Sequence, residues 1–395
     1  MRNSRPVYIV VNALVDTRSK KRTGISRVEY ELAKHLLGQG AKPIAWHRNR
    51  FVEIDFAGDV EGPTQRRFPL WLRRSVAFED GGTVVLVSVW WSEWPFEVIR
   101  HLKESHNLRF VSMIHDLIPI RRPEFLPDDG SAGRFRNHVN RAIALSDAII
   151  VSSSYVADDV RAYAQECGIR IAPVEVCPLC SDLRQSAMPV CSSRLGSTGI
   201  APGRFVVFVS SINSRKNHRW LYFLWRRVVD ELGDSVPPLV FAGQLERMEV
   251  STLELISADV AMWNRKLFFI ESPSDSELSW LYANCAFSMF PSLCEGWGLP
   301  ITESLSFGKY CLAADNTSLV EVGQGLTFNA DPLDGLAWIR EIRKLLQEPD
   351  YLRYRNDRAA SAFRARSWPE FGEQVADLIN SLGDGVAGSP LSSGA

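Results

Sequence analysis

The densest chemistry in the sequence lies in FPSLCEGWGLPITESLSFG (290–308), where two carboxylates, Glu295 and Glu303, bracket a turn carrying Gly296, Trp297 and Gly298. An apolar run ends at Phe290, and Pro300 suits the first turn of a helix, where the N–H it lacks would find no partner. A glycine-bearing loop that opens into a helix start presents backbone N–H groups and the positive end of the helix dipole, which together attract phosphate. Glu303, one turn in, suits ribose hydroxyls, from which a carboxylate accepts two hydrogen bonds. The same two acids would serve a glycosidase if they flanked one bond about 5 to 9.5 Å apart. The phosphate-friendly helix start between them favours a nucleotide over a neutral glycan.

A second segment, SSINSRKNHRWLYFLWRRVVDEL (210–232), places Arg215 and Lys216 after an apolar run and before an amphipathic stretch. Two adjacent cations at a strand end can clamp a diphosphate, each charge-assisted hydrogen bond contributing roughly 1.5–3 kcal/mol. Asn217 is placed to cap the following helix. Cys177-Pro-Leu-Cys180 has the spacing of a zinc or redox pair, but no second pair accompanies it. The seven scattered cysteines therefore read as reduced, mostly buried thiols.

The elements that must position these groups alternate short apolar runs with amphipathic stretches, the pattern of βαβ units and parallel sheets. VYIVVNAL, TVVLVSV (83–89), LRFVSMI (108–114), DAIIVSS (147–153) and VEVCP (174–178) read as strands of a first half. In the helix that follows the first strand, Ile25, Val28, Leu32 and Leu36 share a face. RFVVFVSSI (204–212), PLVFAG (238–243), KLFFI (266–270), CAFSMF (285–290) and YCLAA (310–314) form a second series. The expected architecture is α/β, two doubly wound Rossmann-like domains facing a cleft, with ligands beyond the carboxyl ends of the strands. The expected boundaries are 1–180, a Ser/Pro/Gly-rich linker 181–203, a second domain 204–366, a C-terminal helix 367–382 crossing back, and a disordered tail 383–395.

Composition limits the partners. Forty-five Lys+Arg against 46 Asp+Glu leave a net charge of -1, so no global basic field calls for nucleic acid. No apolar run reaches the ~18 residues of a membrane span. MRNSRPVYIVVNAL is basic then apolar, yet lacks a cleavage site, so it reads as a buried first strand of a cytoplasmic protein.

Arg-Lys-Asn-His after the first strand of the second half, followed by F-P-S-x-x-E-G-W-G-L-P-x-x-E, resembles the retaining glycosyltransferases of the family-four type. The likeness extends to Gly243, Leu278 to Tyr282 and Glu321-Val322, and more faintly to TGISRVEYELAKHL (23–36) and IHDLIP (114–119). Lys309-Tyr310-Cys311 stands where that family usually has proline and valine, a departure that concerns packing.

The resemblance implies the two-Rossmann GT-B fold and an E-x(7)-E donor motif. By it, Arg215 and Lys216 hold the donor's diphosphate, Glu303 its ribose, and Glu295 the hydroxyls of the donor sugar near the reacting carbon. Backbone around Gly298 and Leu299 touches sugar and phosphate, Gly24 lets the first domain approach the diphosphate, and His115 points toward the transferred sugar. A histidine bonded to Asp116 or to backbone is the plainer reading of His115. Glu295 and His115 are thus the expected catalytic residues, with no cofactor and no metal, since no D-x-D triplet occurs and two cations take its place. The implied reaction moves a hexose, mannose first by likeness of G-I-S-R-V to bacterial polysaccharide mannosyltransferases, with retention, from a nucleotide-diphosphate sugar to a lipid-linked glycan.

The alternatives are an inactive sugar-nucleotide-binding subunit, an epimerase or a glycan phosphorylase on the same fold. Trp90, Trp91 and Trp94 suit either an acceptor platform or core packing. The doublets Arg66-Arg67, Arg73-Arg74 and Arg121-Arg122 suit either contact with the inner face of an anionic membrane or solvation.

Overall fold

The computed structural model describes residues 5–16, 24–61, 69–88, 94–180, 183–246 and 249–384. The chain divides into two compact units, Met1–Leu179 with Trp368–Ala395, and Cys180–Ser367.

In the first unit, β1 (Val7–Val10), β2 (Lys42–His47), β3 (Arg50–Glu53), β4 (Thr83–Leu86), β5 (Arg109–Ile114), β6 (Ala148–Val151) and β7 (Val174–Val176) form one sheet in the order β3-β2-β1-β4-β5-β6-β7. All neighbours are parallel except β2 and β3. Every residue of β4 and β6 is buried, which is why they read as unbroken Val/Ile/Leu runs. The β2–β3 hairpin escaped the sequence reading. Its turn residues Arg48 and Asn49 both have positive φ, 47° and 61°, so the tight turn forms without the glycine that usually marks it.

The helix Gly24–Gly38 buries Val28, Leu32 and Leu36 as expected, but Ile25 is exposed and Ser26 and Glu29 are buried in its place. The helix Trp368–Asp384 belongs to this unit and lies against Gly24–Gly38, so closely that a Cβ on Gly372 would stand 2.3 Å from the His35 ring. Gln374 Nε2 donates to Glu175 Oε1 and to the Val176 carbonyl, both at 3.0 Å. This helix runs through Asp384, two residues into the segment expected to be a tail, and 385–395 lie outside the described residues.

In the second unit, β8 (Val206–Val209), β9 (Leu239–Gly243), β10 (Leu267–Glu271), β11 (Ser288–Phe290), β12 (Cys311–Ala314) and β13 (Phe328–Ala330) form a parallel sheet in the order β10-β9-β8-β11-β12-β13. The helix His218–Leu232 buries Leu221, Leu224, Trp225 and Val228, the stripe of a surface helix on a sheet. The stretch expected to be a bare linker instead supplies Leu183, Leu195 and Ile200 to this unit's core beside Phe205 and Leu281. Its short apolar residues carry no period, so composition alone made it look like a connector.

Candidate functional site

The order of the second sheet reverses between β8 and β11, the place in an open α/β sheet where ligands bind beyond the carboxyl ends of the strands. Arg215 and Lys216 follow β8, and Glu295 to Glu303 follow β11. The topology therefore brings together two segments that the sequence separates.

Asn213 caps the turn Ser214–Lys216, its Oδ1 accepting from Lys216 N at 3.2 Å. Asn217 does not cap the helix with its side chain. Its Nδ2 donates to the Pro291 carbonyl at 3.2 Å and to that of Pro332 at 3.4 Å, tying the β8 loop to the β11 loop. Leu293 N donates to the Arg215 carbonyl at 2.8 Å, and Arg215 Nη1 donates to that of Cys294 at 2.7 Å.

On this frame Arg215 Nη1 lies 2.6 Å from Glu295 Oε2, while Lys216 Nζ bonds Glu295 Oε1 and sits 5.1 Å from the centroid of Phe290. Ser292 Oγ donates to the same Oε1 at 2.6 Å, and Glu295 N donates to Thr317 Oγ1 at 3.1 Å. Burial would push the Glu295 carboxyl up, but Arg215 and Lys216 outweigh it and hold it at about 2. Desolvation, and then repulsion from Arg215, push the Lys216 ammonium down against the pull of Glu295. A carboxyl held this low donates no proton near neutrality, which removes the general-acid part of a glycosidase pair for Glu295, since that part needs a raised carboxyl.

Gly298 has φ 125°, and a Cβ there would come within 2.8 Å of Leu319 Cδ2, so the turn into the helix Leu299–Ser306 requires glycine. Pro300 occupies the first turn, and the N–H groups of Gly298 and Leu299 have no partner among the described residues. Glu303 is buried on that helix and accepts from Tyr282 Oη at 2.9 Å.

Gly24 and His115 belong to the first unit. Gly24 opens the helix Gly24–Gly38, and His115 follows β5 with Nε2 2.8 Å from the Val87 carbonyl. A carbonyl only accepts, so Nε2 carries the proton and Nδ1 is left as an acceptor. Burial pushes the imidazole down to about 4, against the pull of Val87, so the ring is neutral near pH 7. The sequence reading missed Glu29, fully buried, whose carboxylate accepts from Leu14 N at 3.3 Å and from Ser88 Oγ. It joins the loops after β1 and β4, where the first sheet reverses its order. An acid inside an otherwise amphipathic stripe was the available signal.

Trp94 packs in the core against Phe51, 6.0 Å between ring centroids, and Trp90 and Trp91 lie outside the described residues. Arg66 and Arg67 also lie outside them. Arg73 pairs with Asp59, Arg121 with Asp159 and Glu166, and Arg122 with Glu124, so these arginines are engaged within the first unit. Among the described residues, no helix is long and apolar enough to cross a membrane.

Two α/β units with these strand orders give the chain the GT-B fold of the solved structures it matches. Residues 197–362 match the family described as Glycosyl transferases group 1. The serotype-specific mannosyltransferase WbdA of Escherichia coli is 26% identical over 242 residues, covering 60% of this chain and 29% of that one. The chain thus spans under a third of that relative's length. The O-antigen chain mannosyltransferase B of Escherichia coli is 24% identical over 279 residues, covering 70% of this chain and 72% of the other.

Among solved structures, sucrose-phosphate synthase from Thermosynechococcus elongatus has a TM-score of 0.66 at 15% identity, over 96% of this chain and 100% of that one. HepE of Anabaena, in complex with UDP-glucose, has a TM-score of 0.67 at 15% identity over the same shares. At these identities the two structures speak to the fold.

Proposed function

We propose that the protein is a retaining, metal-independent hexosyltransferase that moves a sugar, mannose first, from a nucleotide-diphosphate donor to a lipid-linked glycan. The observation that supports this most is the meeting of Arg215, Lys216 and Glu295 beside the helix start at Gly298. Breaking a glycosyl–phosphate bond leaves growing negative charge on the diphosphate and an electron-poor sugar carbon. Arg215, Lys216 and the N–H groups of Gly298 and Leu299 would take up that charge, an electrostatic contribution already in place before reaction.

Glu303 would accept from the ribose. Glu295, anionic throughout the neutral range, would accept from sugar hydroxyls rather than deliver a proton. His115 Nδ1 would accept from a hydroxyl of the transferred sugar. The acceptor hydroxyl attacks on the face the phosphate leaves, and its proton passes to the departing phosphate oxygen, which gives retention without a covalent intermediate. Mannose as the sugar rests on the names of the two Escherichia coli relatives.

The test is a thermal-shift panel of UDP, GDP, dTDP and their sugars, with and without EDTA, because a ligand bound only by the native state raises Tm by mass action. One nucleotide should raise Tm equally in both conditions, and its sugar form should release nucleotide diphosphate only when a glycan acceptor is added. No shift from any of them would overturn the proposal.

A further inference from the structure

Glu303 takes its position from a neighbouring βα unit. Tyr282 lies on the helix Asp275–Asn284 after β10, whereas Glu303 lies on Leu299–Ser306 after β11. Tyr282 Oη stands 2.9 Å from Glu303 Oε2 and 3.4 Å from the Pro300 carbonyl. A phenol has one proton, and the nearer, charged acceptor takes it. Tyr282 is 1% exposed and Glu303 8%, so water competes little for this bond.

The phenol is itself held. Its ring stacks on Phe307 at 5.8 Å between centroids, 19° from parallel. Its helix begins in a capping box of Ser274 and Glu277, and Glu277 is bonded in turn by Arg194 Nη2 at 2.7 Å and by Ser192 Oγ at 2.5 Å. A hydrogen bond at Oε2 restricts rotation of the Glu303 carboxylate and so presets the angle at which it meets a ligand.

We propose, resting on the donor-site reading above, that Tyr282 is a positioning residue for ribose recognition, acting through Glu303. A phenol that merely satisfied its own hydrogen bond in the core would have no effect that depends on the ribose hydroxyls of a ligand.

The full chain and its Tyr282→Phe variant are titrated calorimetrically with UDP, GDP and dTDP, each beside its 2′,3′-dideoxy counterpart. For the nucleotide the wild type binds, Tyr282→Phe should weaken the ribose form by roughly tenfold and leave the dideoxy form within about twofold. In turnover, KM for the donor should rise while kcat holds. Equal losses for both forms, or none, would overturn the proposal. Glu303→Gln, which keeps the phenol, should abolish most of the ribose-over-dideoxy preference, and Tyr282→Phe added to it should change that preference no further; additive effects would overturn the proposal whether or not Tyr282→Phe alone folds well. Wild-type protein that binds none of the three nucleotides would overturn the donor-site reading, and this proposal with it.

Discussion

Arg215 Nη1 lies 2.6 Å from Glu295 Oε2, and Lys216 holds the other oxygen of the same carboxylate. One acid thus bridges the two cations assigned to the donor diphosphate and stands where phosphate charge would otherwise be needed. Removing one partner of a buried ion pair leaves the rest uncompensated, at a cost of roughly 3–5 kcal/mol.

Glu295→Gln should therefore lower the Tm of the free protein by several degrees. Nucleotide diphosphate should restore more stability to this variant than to wild type, because phosphate then supplies the negative charge that Glu295 gave to the two cations. Transfer should be lost. Calorimetric titration and thermal shift read the first two effects, and a nucleotide affinity that drops along with activity would contradict them.

Arg215→Ala and Lys216→Ala should each weaken nucleotide-diphosphate binding by about 10- to 100-fold, the range of one or two charge-assisted bonds. Neither should alter the binding of a nucleoside lacking phosphate. Equal losses for nucleoside and nucleotide would indicate damage to the fold rather than to the phosphate contacts.

Acid should destabilise the protein well above the carboxylate range. Burial pushes His115 and His138 down to about 4, and burial with the Lys216 charge pushes His218 down to about 3, from 6.5. His218 is enclosed by the rings of Phe208 at 4.4 Å and Phe241 at 5.0 Å, a setting that does not solvate an imidazolium. The unfolded chain binds more protons than the native one below pH 6.5, so stability falls as pH drops through this window. Each histidine should contribute a loss on the order of 2 kcal/mol by pH 5. Urea unfolding at pH 7.5 and pH 5 would show it, and identical midpoints would rule it out. Below about pH 4.5 the loss of ionised Glu277 and Glu295, both held at about 2, should add to it.

Gly243→Ala should unfold or strongly destabilise the second unit. A Cβ there would stand 1.8 Å from the Ser210 carbonyl oxygen, a backbone atom at the end of β8 that has little room to withdraw. Circular dichroism melts would check this, and a fall in Tm of less than about 4 °C would count against it.

The apolar runs were legible because strands buried on both faces, such as β4 and β6, leave no place for a charge. The β2–β3 hairpin was not, because Arg48 and Asn49 take the left-handed turn conformation without glycine. β13 was not, because Phe328 and Asn329 are only partly buried and follow no run. The residues 183–200 escaped for a related reason, since isolated buried leucines show no period.

At the site, the sequence alone determined which groups were the candidates, because glycine at a helix start, adjacent cations and spaced carboxylates are legible in residue types. It could not say which of them touch. That Glu295 is shared by Arg215 and Lys216, that Asn217 ties loops rather than caps a helix, and that Tyr282 holds Glu303 were decided by tertiary structure. The reversal of strand order between β8 and β11 brings distant loops side by side, and hydrogen bonds act only over a few ångströms of space, whatever the distance along the chain.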